Sequence, residues 1–246
     1  MLKTVKSNFF DLAIDRKMYS NKPNLAFRLN YIFEGVNFVN KTVLDVGGGA
    51  GLLTFYAAVK GAKKVVCLEP EFDGSNSGMI EKFKEFKSAL ATSFPIEHLP
   101  LTLQDYVGQI KDESYDIVLL HNSINHLDEE ACISFLEKES SYNTYKEIFT
   151  AVYSKMSKGG KLIVADCSRD NFLNAIGMKC YFNPTIEWHK HQRPETWVSL
   201  LKEIGFRKPV IKWSTPNKLG KPGRVLMGNS FMSYLTQSHF KFTMEK

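Results

Sequence analysis

Cysteine is scarce and unpatterned. Cys67, Cys132, Cys167 and Cys180 form no C-x-x-C pair and no zinc spacing, so no metal is expected. Cys67 stands in an apolar, strand-like run, where a small buried thiol is its expected role. No apolar stretch between Met1 and Lys17 reaches signal-peptide length, and no window approaches a membrane span. A cytoplasmic chain without a membrane partner is therefore expected. Internal repeats and low-complexity segments are also missing. The lysines form no dense tract: 32 basic against 26 acidic residues leave a net charge of +6. So mild a surplus marks solvated surface more readily than a nucleic-acid partner.

What remains is ordinary globular material. A length of 246 residues with 43% hydrophobic composition suits one α/β domain with room for a cap. The most informative run is Val43-Leu44-Asp45-Val46-Gly47-Gly48-Gly49-Ala50-Gly51. Hydrophobic residues lead into an acid, and glycines follow at 47, 49 and 51. A buried strand ending in a carboxylate is expected, then a tight turn exposing backbone N–H groups at a helix N-terminus. The dinucleotide fingerprint would need glycine at 52 or 54, where Leu52 and Thr54 stand.

Strands and helices alternate along the rest of the chain. After a first strand at about 42–46, Leu52, Leu53, Tyr56 and Val59 recur at helical spacing up to Gly61. Lys64 to Glu69 reads as a second buried strand ending in an acid. Met79, Ile80, Phe83, Phe86 and Leu90 stripe a helix. The alternation Leu99, Leu101, Leu103 predicts a third strand ending at Gln104-Asp105. Tyr115 to Leu120 predicts a fourth, fully buried strand. Two helical stretches follow, the second marked by Tyr145, Ile148, Phe149, Val152 and Met156. Gly159-Gly160 then turns the chain into a fifth strand, Lys161 to Asp166. A helix over Glu195 to Gly205, a strand over Val210 to Trp213, a Gly/Pro/Lys-rich loop from Pro216 to Gly223 and a strand over His239 to Thr243 complete the chain. Such alternation predicts a doubly wound, mostly parallel sheet with its acidic strand ends and glycine loop on one edge.

The spacing Asp-x-Gly-x-Gly-x-Gly at 45–51 resembles motif I of class I S-adenosylmethionine (SAM) methyltransferases. That resemblance implies a seven-stranded sheet whose last strand inserts antiparallel, and the ending of helix, Gly205-Phe206 and hairpin matches it. It implies a methyltransferase domain over 41–246, preceded by a helical cap segment over 1–40, with an acceptor-side insertion over 168–194. SAM is the implied cofactor and S-adenosylhomocysteine its product. Glu69 stands 24 residues after Asp45, where a carboxylate accepts both ribose hydroxyl protons. Gln104 and Asp105 would serve the adenine. Asp45, Gly47, Gly49 and Gly51 would meet the methionine end and the sugar, with His121 and Asn122 near the methyl group.

The acceptor is read from the segment after the fourth strand, His121-Asn122-Ser123-Ile124-Asn125-His126-Leu127. The D/N-P-P-Y/F tetrad of amino-methylating nucleic-acid enzymes is absent, as is the double-acid loop of protein arginine methyltransferases. His126 or His121 becomes a candidate base for a hydroxyl or ammonium acceptor. Tyr19, Tyr181, His189, His191 and Arg193 are the candidate acceptor contacts, with Arg193 suited to an anionic one. O- or N-methylation of a small metabolite is the expected function; an RNA or protein methyltransferase, or a non-catalytic SAM-fold module, is the alternative.

Overall fold

The computed structural model describes residues 2–70, 78–90, 94–110 and 114–246, with side chains from residue 8 onward. Two N-terminal helices, α1 (Leu2–Asp15) and α2 (Lys22–Ile32), precede β1 (Thr42–Val46), α3 (Leu52–Val59) and β2 (Lys64–Leu68). Then come α4 (Met79–Ala89), β3 (Ile96–Leu99), α5 (Leu103–Gln109) and β4 (Tyr115–His121). The second half runs α6 (Glu129–Ile133), α7 (Glu139–Ser154), β5 (Met156–Cys167), α8 (Phe172–Ala175), α9 (Pro194–Ile204) and β6 (Arg207–Trp213). It closes with α10 (Gly220–Met227), α11 (Ser230–Leu235) and β7 (His239–Glu245). The seven strands are ordered β3-β2-β1-β4-β5-β7-β6. The pairs of β1 with β2 and β4, and of β2 with β3, are parallel. β7 runs antiparallel to both β5 and β6. This is the seven-stranded sheet, with an inserted antiparallel strand, that the motif-I resemblance implies.

By internal packing the chain falls into two units, residues 1–120 and 121–246. In the first, Val65, Val66, Cys67 and Leu68 of β2 are completely buried, as expected for a strand covered on both faces. The aromatics of the N-terminal helices belong to this core: Phe9 packs on Tyr56 and Phe86, and Phe33 stacks on Tyr56. The start of β1 is fixed by Asp116 of β4, which accepts from the Thr42 backbone N–H at 2.9 Å and pairs with Lys41 at 3.2 Å. In the second unit, Trp197 of α9 is buried between Phe135 and Tyr145. There the insertion 168–194 is short on regular structure but has its own core of Cys167, Cys180 and Trp188.

Three expectations need correction. The third strand ends at Leu99, and Gln104 and Asp105 lie in the first turn of α5. Pro100 breaks the leucine alternation, and the Thr102 side chain caps the helix by accepting from the Asp105 N–H at 3.1 Å. The fifth strand begins at Met156, not Lys161. Its ladder continues through the glycine pair, because Gly159 N–H donates to the Lys246 carbonyl and Lys246 N–H to that of Gly160. Finally, the 216–223 stretch is a short 3-10 turn (Asn217–Leu219) leading into α10. Pro222 stands in the first turn of that helix, where its missing N–H has no intrahelical partner to lose.

Candidate functional site

In the first unit the glycine run closes over the end of β2. The N–H groups of Gly47 and Gly48 both donate to the Leu68 carbonyl, at 2.8 and 3.1 Å, and Gly51 N–H donates to that of Gly48 at 2.9 Å. Gly49 N–H donates to Glu69 Oε2 at 2.7 Å, so the carboxylate that follows β2 is joined directly to the glycine loop. Backbone φ is positive at Gly47, Gly49 and Gly51. Among the described residues, chain neighbours aside, a Cβ on Gly49 would meet no atom within 4 Å, so that side of the loop is open ground for a ligand to lie against. Gly48 is the opposite case: its Cβ would come within 2.5 Å of Cys67 Sγ and 3.0 Å of Asp45 Oδ2. The spacing rule passed over Gly48, although the unbroken Gly-Gly-Gly run carries the signal.

Asp45 supports this loop from beneath. It is 1% exposed and accepts from the Thr54 hydroxyl of α3 at 2.6 Å. Burial pushes its carboxyl up to about 6; the Thr54 hydrogen bond opposes the rise and the nearby Glu69 charge adds to it. Desolvation wins because one hydroxyl donor replaces a full hydration shell. Burial likewise raises the Cys67 thiol, with Asp45 contributing, so Cys67 is an apolar filler beneath Gly48. Asp105, at the start of α5, receives the Thr102 hydroxyl on Oδ2 at 2.6 Å, with Gln104 beside it.

In the second unit His121 is half-buried at the end of β4, and Asn122 follows with φ +54. The Asn122 N–H donates to Ala165 of β5 at 2.8 Å. The segment beyond is fastened by Tyr145 of α7, whose hydroxyl lies 2.9, 3.2 and 3.1 Å from the carbonyls of Ile124, Asn125 and Asp128. Tyr145 entered the sequence reading only as part of an apolar stripe. His126 sits in a 3-10 turn with its ring exposed, and its Nδ1 lies 2.6 Å from Glu129 Oε1. The other Glu129 oxygen pairs with Lys190 of the insertion at 3.1 Å. Burial alone would raise the Glu129 carboxyl, but the Lys190 and His126 hydrogen bonds outweigh it and hold it below the ordinary carboxylate range. The structure thus joins His126, Glu129 and Lys190, and the last two were not singled out from sequence.

The other acceptor-side candidates separate. His191 is buried, with Nδ1 3.2 Å from Asp166 Oδ1 at the end of β5. Gln192 beside it donates to the Cys132 carbonyl at 2.6 Å, so this part of the insertion is anchored on α6. Arg193 pairs with Asp170 and, with Trp213 and Tyr234, lines a cavity of about 700 Å³. Tyr181 and His189 are exposed, and Tyr19 is half-buried in the first unit. Among the described residues no three His, Cys, Asp or Glu side chains converge as a metal would require.

No family model matches the chain. A ubiquinone biosynthesis O-methyltransferase of Marinobacter nauticus is 25% identical over 202 residues, covering 79% of this chain and 75% of that protein. A SAM-dependent methyltransferase from Archaeoglobus fulgidus superposes with a TM-score of 0.56 at 18% identity, covering 95% of this chain and 98% of that one. The plantazolicin methyltransferase BpumL, solved in complex with S-adenosylhomocysteine, gives 0.53 at 13% identity, covering 99% and 89%. At such identities the likeness to the solved structures is one of fold.

Proposed function

We propose that this chain, whose fold is that of class I SAM-dependent methyltransferases and whose relatives and structural neighbours are such enzymes, methylates an oxygen or nitrogen of a small metabolite. The observation that carries the reading is the 2.7 Å hydrogen bond joining Gly49 N–H to Glu69. It sets backbone donors beside a carboxylate at the end of β2, with open space above Gly49. On this reading the SAM-binding domain covers 41–246 and residues 1–40 are an N-terminal addition. Bound SAM would supply an electrophilic methyl group on a positively charged sulfur, with S-adenosylhomocysteine as the product.

The chain's own residues then have defined tasks. Glu69 accepts from the ribose hydroxyls, and Gly47 and Gly49 allow close backbone approach; Gly51, contrary to expectation, makes room for Phe83 and Phe55 of the core, which a Cβ there would strike. Asp45, being buried, acts by holding the loop through Thr54. Gln104 and the second oxygen of Asp105 serve the adenine, and His121 and Asn122 the methionine end. His126 takes the proton released by a hydroxyl or ammonium acceptor, with the ionised Glu129 orienting its ring. Arg193, in a cavity whose volume suits a metabolite, favours an acceptor bearing an anionic group; Tyr19, Tyr181, His189 and His191 complete the acceptor side. The test is to incubate purified protein with SAM and a panel of alcohols, phenols and amines, measuring S-adenosylhomocysteine release. Turnover confined to protein or RNA acceptors would refute the small-molecule assignment.

A further inference from the structure

The second unit exposes an apolar surface that the methyl-transfer chemistry does not use. Val225 and Leu226 of α10 are 83% and 74% exposed, and Phe231 of α11, with Ile176 and Met178 of the insertion, also stands in solvent. The insertion is joined to α11 and to the turn that follows it. Phe172 packs edge-on against Tyr234, Asn171 Nδ2 donates to the Thr236 carbonyl at 2.9 Å, and Asn183 Nδ2 to that of Gln237 at 2.7 Å. Scattered exposed hydrophobics are normal, but two apolar segments tied together mark an interaction face.

Charge tells what covers it. No acidic residue stands between Glu203 and Glu245, a span with seven basic residues of which Lys241 is buried and Lys208 is paired with Glu245, and none stands between Asp170 and Glu187. Lys218, Lys221 and Arg224 recur at every third position, which aligns them along one flank of the α10 region. Beside them are Val225 and Leu226. A second copy of the chain would bring the same cations face to face, which repels. Basic side chains flanking exposed aliphatic and aromatic ones fit the surface of an anionic bilayer, where apolar groups enter the acyl boundary and cations meet the headgroups.

We infer that the face formed by α10, α11 and the 171–186 segment docks on an anionic lipid surface. The inference is independent of the acceptor's identity. It departs from the expectation of no membrane partner, which rested on the lack of a spanning segment. Among the described residues no helix is long and apolar enough to cross a membrane, and surface docking needs none.

The test is sedimentation of the full chain with phosphatidylcholine vesicles, with and without phosphatidylglycerol. Wild type should bind only the anionic vesicles and be released by salt. The K218Q/K221Q/R224Q variant should lose about a hundredfold in partitioning, since each cation near an anionic surface contributes on the order of a factor of five. V225D/L226D should lose about tenfold or more. Both variants should keep the wild-type melting temperature and S-adenosylhomocysteine affinity, because none of the altered side chains is buried in the core. Failure of wild type to bind anionic vesicles, or undiminished binding by both variants, would overturn the inference. So would wild-type dimers that V225D/L226D abolishes, which would give the face to a second copy.

Discussion

Replacing Glu69 by alanine separates two things this carboxylate does. In the structure it accepts from Gly49 N–H at 2.7 Å, and in the proposed complex it also accepts from the ribose hydroxyls. A hydrogen bond to a charged group contributes roughly 1.5–3 kcal/mol, so losing the ribose contact should raise the dissociation constant roughly 10- to 150-fold. Losing the Gly49 contact loosens the loop and weakens any ligand lying on it, with or without a ribose diol. Calorimetric titration of wild type and Glu69→Ala with S-adenosylhomocysteine and its 2′,3′-dideoxy analogue resolves the two. Wild type should prefer the diol by roughly 10- to 150-fold, and in Glu69→Ala the preference should shrink toward unity while both ligands weaken. An undiminished preference in the variant would show that Glu69 only braces the loop, and the reasoning would fail.

Asp45→Asn tests the buried carboxylate through stability. Folding raises this group from the ordinary 3.8 to about 6, so the folded state binds the proton more tightly and wild type loses stability as pH climbs through that window. The urea-unfolding free energy of wild type, relative to Asp45→Asn, should fall by about 2 kcal/mol between roughly pH 4 and 6; a pH-independent difference would contradict the burial account. For His126→Gln, turnover should drop by ~10²–10⁴ with SAM affinity nearly unchanged. The pH–rate profile should also lose its acid limb, because a base must be neutral to act. Unchanged rate and profile would move the base to His121 or His191, or leave alignment alone as the source of rate. Tyr145→Phe should cost about 1–3 kcal/mol in thermal unfolding, because buried carbonyls around residues 124–128 lose their donor; a neutral effect would mean the hydroxyl does not fasten that segment.

Much of the fold was legible because its signals are local. The apolar runs at 42–46, 64–68 and 115–120 can only be buried strands, and the acid-to-glycine step at 45–47 announces the loop between β1 and α3. Errors arose where a local pattern had two readings. Leu99, Leu101 and Leu103 alternate like a strand, yet Pro100 ends the ladder and Thr102 starts a helix. Gly220, Pro222 and Gly223 look like loop residues, but the proline falls where a helix tolerates it. The glycine loop of the first unit was legible because one continuous motif, residues 45–51, supplies it. The contacts of Glu129 with Lys190, and of Tyr145 with residues 124–128, join positions far apart in sequence. No spacing rule could have found them.

Everything assigned to the glycine loop rests on Gly49 being open to ligand, and one titration asks this directly. S-adenosylhomocysteine is added to wild type and to Gly49→Val in a calorimeter, with circular dichroism confirming that both are folded. Among the described residues, chain neighbours aside, a Cβ at Gly49 meets no atom within 4 Å, while φ +54 resists a branched residue only locally. The account predicts saturable binding by wild type and none by a folded Gly49→Val. Equal affinity in the two proteins would contradict it.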